Sequence, residues 1–476
     1  MPRVRIPFGR TFNKGRSNAA GLQSLVNLYG EPVEGEGRTD FVCYGTPARS
    51  LFATIGGGTV RGQITASDVH YTVIGTTLYK VNSDGTSTSL GTVEGALPVD
   101  MSYNSNQIDI VAEVKAYSFD VPTLALTEQT GGGYEQANSC TSLANYSIIS
   151  VKDTGRFRWK LTNVTTFDAL DFATAEAESD NLVAVRAVAS DIALLGSKTT
   201  EWWGPTGEAG ANAFAKTATA AANIGCVSRD TAIVVDSGLT WVGRDGRAGG
   251  VSVYRAEGYA PRKISPPEVD NYLEAVSDLS TLKAFAYQQR GHLFYVLTLP
   301  DEWSFAWDIS TNQWSYRKTG SWPMGEDATG GWDAENFAIN GVKQIVGSSD
   351  GNLYELLADT FTENSEGIVR EATCSQLSHD GKRAFMSRLE LDIEAGVGLS
   401  SGQGSSPIVM ACWSDDGGMT WSNPRNASMG AIGKYKYRAT WHACGAYRNR
   451  IIKFRVSDPV KVVMLGAWAD VTLGAH

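Results

Sequence analysis

The most specific local pattern in the sequence is the run Ser414-Asp415-Asp416-Gly417-Gly418-Met419-Thr420-Trp421, which matches Ser-x-Asp-x-Gly-x-Thr-Trp. A carboxylate in such a run can serve acid–base chemistry if a second carboxylate opposes it, or it can close a turn by accepting backbone N–H bonds. The glycine supplies an unusual backbone dihedral, and the tryptophan inserts into a core. We predict a self-contained structural hairpin formed by Ser414, Asp416, Gly418, Thr420 and Trp421.

This motif, the Asp-box, also occurs in sialidases, so glycoside hydrolysis is the competing hypothesis. A glycosidase of that class needs two opposed carboxylates, one with a raised pKa, and sialidases add an arginine cluster and a tyrosine nucleophile. The candidates for these roles crowd one predicted strand pair: Arg438, Arg448, Arg450, Arg455 and Tyr447. A solvated or subunit-contacting basic edge explains them equally well. A sialidase-like, carbohydrate-active or carbohydrate-binding propeller therefore remains the alternative.

Other catalytic and metal-binding patterns do not occur in the sequence. The five histidines are not at metal-ligand spacing, and there is no HExxH, GxSxG or Walker loop. Six cysteines are scattered without a CxxC pair, which is typical of buried free thiols in a reducing cytoplasm. We predict no catalytic, cofactor-binding or metal-binding residues, and hence a protein that is not an enzyme.

The formal net charge is −10 and the pI is near 5.2, which argues against tight binding to nucleic acid. An acidic wall would still let DNA slide past, because it repels phosphates. No apolar stretch resembles a signal peptide core or a membrane span, so we expect neither secretion by the usual route nor membrane insertion.

The elements that must position these residues divide into three regions. Residues 1–50 look irregular and predict an extended N-terminal arm. Its basic cluster comprises Arg3, Arg5, Arg10, Lys14 and Arg16. Such a cluster is usually solvated, but we favour an arm that wraps an acidic neighbouring subunit.

Residues 51–365 repeat a strand–turn–strand texture. The turn Asn82-Ser83-Asp84-Gly85 predicts a hairpin. In the steps Phe119-Asp120 and Trp307-Asp308 the ring should be buried while the carboxylate caps the turn. This is the hairpin pattern of β-propeller blades. At roughly 40 to 50 residues a blade, the length accommodates six or seven blades, and we favour six.

Residues 366–476 have longer alternating strands. One strand should place Phe385, Ser387, Leu389, Leu391 and Ile393 on one face. The region is predicted to form either a sandwich-like layer or the last strands that close the propeller. The best helix candidate, Glu268 to Phe285, follows Pro266-Pro267.

The adjacent rings Trp202 and Trp203 should face opposite sides of a strand. One ring is then buried, and the other is a candidate anchor of a subunit interface. Two core rings at a bend explain the pair equally well.

Several segments resemble the packaged-DNA stabilisation proteins, also called tail accessory factors or tail nozzles, of short-tailed bacteriophages. The resemblance spans most of the chain and is carried by Gln23-Ser24-Leu25-Val26-Asn27-Leu28-Tyr29 with Glu31, Gly45-Thr46-Pro47, Arg156-Phe157-Arg158-Trp159, the segment 167–176, and the segments 191–203 and 223–246.

The resemblance implies a virion structural protein with no catalytic residues to carry over. It implies a propeller arranged as a homo-oligomeric, hexameric ring in the phage tail, below the portal and a portal-proximal adaptor ring. A tail needle, tailspike or fibre proteins would meet its lower end. The channel would retain packaged DNA and pass it non-specifically at ejection. The chain would be made in the host cytoplasm and would need no cofactor or membrane.

Overall fold

The computed structural model describes residues 3–7, 13–14, 21–33, 39–217, 221–326 and 330–474. Strands make up 53% of the chain and helices 4%, which confirms the predicted all-β class. Arg10 and Arg16 of the predicted basic cluster lie outside the described residues.

Six strands occupy the N-terminal part of the chain. They are β1 Arg3–Ile6, β2 Asn13–Lys14, β3 Leu22–Val26, β4 Leu28–Pro32, β5 Phe41–Gly45 and β6 Ala48–Thr54.

The middle of the chain folds into seven antiparallel sheets, or blades, each built mainly from consecutive strands. The first four blades contain β7 Val60–Ala66, β8 Val69–Ile74, β9 Thr77–Val81 and β10 Ser87–Thr92; β11 Asp100–Asn104, β12 Gln107–Val111, β13 Ala116–Asp120 and β14 Ala125–Glu128; β15 Ala137–Leu143, β16 Tyr146–Val151, β17 Arg156–Leu161 and β18 Phe172–Thr174; β19 Leu182–Val188, β20 Asp191–Gly196, β21 Thr200–Pro205 and β22 Phe214–Lys216. The last three contain β23 Ile224–Cys226, β24 Ile233–Val235, β25 Gly238–Asp245, β26 Val251–Glu257 and β27 Ala260–Lys263; β28 Lys283–Gln289, β29 His292–Leu299, β30 Trp303–Asp308 and β31 Gln313–Arg317; β32 Asn336–Asn340, β33 Lys343–Gly347 and β34 Asn352–Leu357.

The predicted turn chemistry forms these hairpins. The Asn82 N–H donates to the carbonyl of Thr86 at 2.8 Å, and the Asp84 carboxylate accepts the Thr86 N–H at 3.0 Å, which closes the turn between β9 and β10. Phe119 is fully buried while the Asp120 carboxylate accepts the Thr123 N–H at 2.8 Å. Local sequence therefore specifies these two hairpins.

The seven blades close into a ring, which is a β-propeller. The innermost strands touch in the order β7, β11, β15, β19, β24, β28 and β32, and β32 returns to β7. The seventh blade has only three strands of its own, and β6 supplies its outer strand by pairing with β34 from Leu357↔Ala48 to Asn352↔Thr54. A strand from before the first blade therefore completes the last one.

The number of blades is seven, which is one more than the favoured six and within the range that the length accommodates. The first two blades span only residues 60–92 and 100–128, shorter than the length assumed for a blade. The outer strand of the seventh blade is β6, which precedes the first blade. The seventh blade therefore takes up fewer residues at the C-terminal end of the range 51–365.

The C-terminal region forms a β-sandwich. Its strands are β35 Thr362–Glu363, β36 Glu366–Gly367, β37 Arg370–Thr373, β38 Leu377–Ser378, β39 Ala384–Ile393, β40 Ile408–Ser414, β41 Arg425–Ser428, β42 Ala439–His442, β43 Ala446–Tyr447, β44 Asn449–Val456 and β45 Val463–Leu473. One sheet has the order β4-β5-β45-β39-β42 and the other β3-β37-β44-β40-β41. Leu389 and Leu391 of the first sheet share a buried core with Ile452 and Phe454 of the second. The sandwich alternative is therefore confirmed, and β6 closes the propeller in place of the terminal strands.

The range predicted to be an N-terminal arm supplies strands to this sandwich. Strands β1, β4 and β5 lie in one sheet, and β3 lies in the other with β2 at its side. The partner of β1, which is β45, and the sandwich partner of β3, which is β37, are more than 300 residues away in sequence. Local patterning carries no trace of such partners, which is why these residues look irregular in the sequence.

Two smaller expectations need correction. The predicted single face of β39 is wrong at its start: a register shift between Met386 and Arg388 turns Phe385 toward solvent while Leu389 and Leu391 stay buried. The helix candidate forms only as α1 Pro267–Glu274, because residues from Lys283 onward are required as the inner strand of the sixth blade.

Three short 3-10 turns complete the described elements: Gly210–Asn212, Arg229–Thr231 and Leu279–Thr281. All six cysteines are free and buried, as predicted.

Asn27 joins the propeller to the sandwich. It lies between β3 and β4 with φ of +53°, a left-handed conformation that asparagine tolerates. Its buried side-chain amide donates to the carbonyls of Lys318 and Val369, both at 2.9 Å, and accepts the Lys318 N–H at 3.0 Å. Its own N–H donates to the Tyr316 carbonyl at 2.9 Å. One side chain thus ties the edge of the sixth blade to the start of the sandwich.

Replacing Asn27 by alanine should lower the free energy of unfolding by about 3–6 kcal/mol, because three buried backbone groups lose their partners and alanine disfavours positive φ. Asn27→Gly should lose slightly less, since glycine accepts the dihedral. Urea unfolding of both variants measures these losses. A loss below about 1 kcal/mol for Asn27→Ala would contradict the role of this side chain as the joint.

The stability of the first blade should fall in mild acid. His70 is fully buried in β8, and burial lowers its pKa to about 4. In the unfolded chain the imidazole titrates near pH 6.5, so only the unfolded state gains a proton between these values. The native state is favoured above about pH 6.5, and up to about 3 kcal/mol is lost as the pH falls to about 4.

Comparing the unfolding free energy of the wild type with that of His70→Gln across this pH range measures that contribution. The difference between the two proteins should change by this amount. Parallel pH curves would contradict it.

Candidate functional surfaces

The propeller axis encloses two adjoining cavities. The inner one, of about 380 Å³, is lined by the innermost strands. The second, of about 850 Å³, opens at one mouth of the ring. Both are lined by Pro98, Asp230 and Lys283, so they meet there and form one axial space.

Several charges of this axial space are paired within the chain. Arg186 pairs with Asp100 at 2.8 Å, and Lys283 pairs with Glu335 at 2.5 Å. The Arg61 guanidinium donates to four backbone carbonyls at 2.7–3.1 Å. The Arg186–Asp100 pair joins the fourth blade to the second, and the Lys283–Glu335 pair joins the sixth to the start of the seventh, so ion pairs connect blades around the axis.

The two predicted interface tryptophans face opposite sides of β21, as expected. Trp202 is buried in the core shared with the fifth blade, and its indole N–H donates to the Tyr259 carbonyl at 3.2 Å. Trp203 is half-buried on the other side, edge-on to Phe157 with ring centroids 5.2 Å apart. Both rings therefore contribute to contacts between blades. The role of Trp203 in a subunit interface stays a prediction.

Arg3 and Arg5 of the predicted basic cluster bind carboxylates of their own chain. Arg5 pairs with Asp40, and Arg3 pairs with the buried Glu390 at 2.8 Å. Arg388 and Arg438 also contact Glu390, at 2.6 and 2.7 Å. Burial alone would raise the pKa of Glu390, but the surrounding guanidiniums outweigh burial and hold that pKa below its usual value. Strand β1 is thus fixed to the sandwich by charge.

The Asp-box forms the predicted hairpin turn. The Asp416 carboxylate accepts the Thr420 N–H at 2.9 Å, the Thr420 hydroxyl at 2.6 Å and the Ser414 hydroxyl at 2.7 Å. The bonds from Thr420, followed by that from Ser414, hold the pKa of Asp416 well below its usual range. Gly418 has φ of +93°. Trp421 is only half-buried, with the Lys453 ammonium 4.6 Å from its ring centroid, so the ring does not insert fully into a core as expected. These contacts use the carboxylate to close the turn.

The arginines considered for a glycosidase site are each engaged separately. Arg450 is buried and makes a two-pronged pair with Asp415, both N–O distances being 2.7 Å, while its guanidinium lies 4.5 Å from the Tyr447 ring. The other pairs are Arg438 with Glu390, Arg455 with Glu371, and Arg448 with the Gly381 carbonyl. These arginines are therefore occupied by the chain's own acceptors.

Two exposed surfaces were not singled out from the sequence. One is the loop 430–438, with its alternation Lys434-Tyr435-Lys436-Tyr437. The other lies around the outer strand of the third blade, where residues 161–180 hold five carboxylates and no Lys or Arg. Runs of one charge with interleaved apolar side chains were the signal that could have found both.

Within the described ranges, no group of three or more His, Cys, Asp or Glu side chains is placed to hold a metal ion. Of the helices that the structure describes, none has the length and apolar character needed to cross a bilayer.

Comparison with family models gives two matches that follow each other along the chain. Residues 23–361 match the model described as bacteriophage P22 Gp10, beta-propeller. Residues 370–472 match the model described as bacteriophage P22 Gp10, beta-sandwich. The first match covers the propeller together with β4, β5 and most of β3, which lie in the sandwich sheets, and the second covers the C-terminal strands from β37 to β45.

No curated protein sequence matches the chain significantly. Among solved structures, the Pan2 WD40 domain of Neurospora crassa is 7% identical, with a TM-score of 0.43, over 66% of this chain and 96% of that one. A chain of a mitotic checkpoint complex is 12% identical, with a TM-score of 0.40, over 69% and 97%. Likenesses at these TM-scores support no inference about this chain.

Replacing Asp415 by asparagine should lower the free energy of unfolding by about 2 kcal/mol, because it leaves the buried Arg450 guanidinium without its anion. The matched control is Asp359→Asn, which breaks the exposed pair with Arg290 and should cost less than about 0.5 kcal/mol. Denaturant unfolding of the two variants makes the comparison. Equal losses would show that Arg450 does not depend on Asp415.

Proposed function

The chain belongs to the bacteriophage P22 Gp10 family, which makes it a virion structural protein with a role in stabilising packaged DNA, and we propose that it is the nozzle of a short-tailed phage tail. In this proposal it extends the channel of the portal and adaptor, retains the packaged genome and conducts it at ejection. Six copies form the ring, which meets the adaptor ring above and a needle, tailspike or fibre proteins below.

The observation that carries the proposal is the consecutive match of both family models to a propeller and a sandwich. The continuous sheet between the two domains also supports the proposal, because the wall of a channel that retains packaged DNA is under pressure. The sheet of the sixth blade continues from β28 through β31 and β3 to β41, so hydrogen bonds run unbroken from the propeller axis into the sandwich. Such a subunit resists bending at its own joint.

The net negative charge of the chain supports a role as a conduit for DNA. At a net charge of −10, the surface as a whole repels phosphates, so DNA can move past it without binding. Retention in this proposal is mechanical, through the narrowness of the assembled channel. No catalysis and no cofactor are required.

The test uses phage heads packed with DNA in an extract that lacks this chain. Adding the purified chain should keep the DNA protected from nuclease over hours, whereas untreated heads should release it. Heat-denatured chain is the control for non-specific protection. Heads that retain their DNA equally well without the chain would overturn the proposal.

The alternative of a carbohydrate-active propeller is favoured only by the Asp-box, whose carboxylate is engaged in its own turn. Incubating the chain at high concentration with sialosides and with host polysaccharide should give no turnover, and a glycan array should show no binding. Hydrolysis that is lost in Arg450→Lys but retained in the exposed-site variant Arg290→Lys would replace the nozzle proposal by an enzymatic one.

A further inference from the structure

Charge is distributed unevenly between the two parts of the chain. Residues 51–365 carry 21 Lys and Arg against 37 Asp and Glu, a formal charge of −16. The remaining residues carry 20 Lys and Arg against 14 Asp and Glu, a formal charge of +6. The propeller is thus strongly acidic and the sandwich with its N-terminal strands is basic, which favours contact between unlike parts of neighbouring molecules.

The basic excess has an exposed centre in the sandwich. Residues 417–457 contain eight Lys and Arg and no Asp or Glu. Six of the eight are engaged by carboxylates or carbonyls of the chain: Arg425, Arg438, Arg448, Arg450, Lys453 and Arg455. Lys434 and Lys436 are exposed and have no such partner among the described residues.

These two lysines belong to a surface that we name the basic lobe, formed by Leu399, Ile432, Lys434, Tyr435, Lys436 and Tyr437. Its apolar members are unusually accessible, with Tyr435 76% and Ile432 60% exposed. The loop is held in shape by the Gly433 N–H, which donates to the Gly396 carbonyl at 3.3 Å. Around it lies an open depression of about 460 Å³. A cationic surface with protruding aromatic rings is typical of a protein interface.

A surface of opposite charge lies on the third blade. We name it the acidic rim, formed by Asp168, Leu170, Glu176 and Glu178, which lie before and after β18. Leu170 is 71% exposed. Neither Glu176 nor Glu178 pairs with a cation among the described residues. The exposed Leu170 lies between Asp168 and Asp171 in the sequence, so apolar and acidic groups are neighbours here, as apolar and cationic groups are in the basic lobe.

The fold places the two surfaces on opposite sides of the molecule. The basic lobe follows β41, the outermost strand of the sheet that runs outward from the sixth blade. The acidic rim flanks β18, the outermost strand of the third blade. Three steps around a seven-bladed ring correspond to roughly 150°. The two surfaces therefore cannot meet within one molecule.

From these observations we infer that the basic lobe of one copy docks on the acidic rim of the next copy, and that this head-to-tail contact builds the ring. The inference rests on the proposed function. Two different patches on opposite sides of a subunit make a heterologous contact, which closes into a ring when the rotation per subunit allows. Apolar side chains fill the centre and unlike charges fix the register.

Duplex DNA fits the basic lobe less well than a second copy does. Phosphates would neutralise the two lysines but would leave Leu399, Ile432 and the two tyrosines without apolar surface to cover them. The acidic rim offers the exposed aliphatic side chain of Leu170 for that purpose. A protein surface can therefore pair with the two lysines of the basic lobe and also cover its apolar side chains.

The first experiment is zero-length carbodiimide coupling of a mixture of nitrogen-14 and nitrogen-15 labelled chains. The expected product joins Lys434 or Lys436 to Glu176 or Glu178, in peptides that contain one light and one heavy partner. Coupling of lysines to carboxylates elsewhere, with these four side chains unmodified, would overturn the inference.

The second experiment is a charge swap. Lys434→Glu with Lys436→Glu, or Glu176→Lys with Glu178→Lys, should weaken self-association measured by sedimentation velocity by roughly tenfold or more at about 0.1 M salt. The quadruple variant should restore it, because unlike charges face each other again. The matched control, Lys382→Glu with Arg383→Glu, changes two exposed cations before the start of β39, whereas the basic lobe lies beyond the other end of that strand, and should leave association unchanged.

Three results would overturn the inference. They are a chain that stays monomeric at the highest attainable concentration, a quadruple variant that associates no better than either double variant, and a Lys434→Glu, Lys436→Glu variant that loses duplex DNA binding but keeps its self-association. If one of these results is obtained while DNA retention still depends on the chain, only the proposed docking surfaces are rejected. Retention without the chain would reject the nozzle proposal itself.

Discussion

The structure depends on a short strand inserted between two domains. Strand β3 pairs in parallel with the edge of the sixth blade at Val26↔Tyr316 and antiparallel with β37 of the sandwich. Asn27 then satisfies buried backbone groups on both sides of this seam. Without β3, the outer strand of the blade and β37 of the sandwich would each present an unpaired edge.

Sequence reasoning reached the features that are encoded locally. Turns such as Asn82 to Gly85 and caps such as Asp120 and Asp416 carry their own hydrogen-bonding partners within a few residues, so the hairpins, the propeller and the Asp-box could be predicted. The placement of β1, β3 and β6 could not, because their partners lie about 300 or more residues away. The bulge in β39 was also invisible, since strict alternation is the only strand pattern that residue types reveal.

The same distinction applies to the candidate surfaces. The sequence pointed to Trp202, Trp203, Arg3 and Arg5 because their residue types are common at interfaces. The structure shows these side chains engaged between blades or with carboxylates of the chain. The basic lobe and the acidic rim became recognisable only when burial separated the charges that are already paired from those that are not. Charge type is readable from sequence, whereas the pairing of charges is a property of the fold.

The closing strand has a consequence for how the protein is made. Strand β6 leaves the ribosome about 300 residues before its partner β34, and at typical rates of roughly 5–20 residues per second this leaves it without that partner for about 15 to 60 seconds. During that interval the backbone edge of β6 is unpaired and accessible to strands of other nascent chains. The propeller therefore closes late in translation, and the sandwich, which needs both termini, is completed only after nearly the whole chain has emerged.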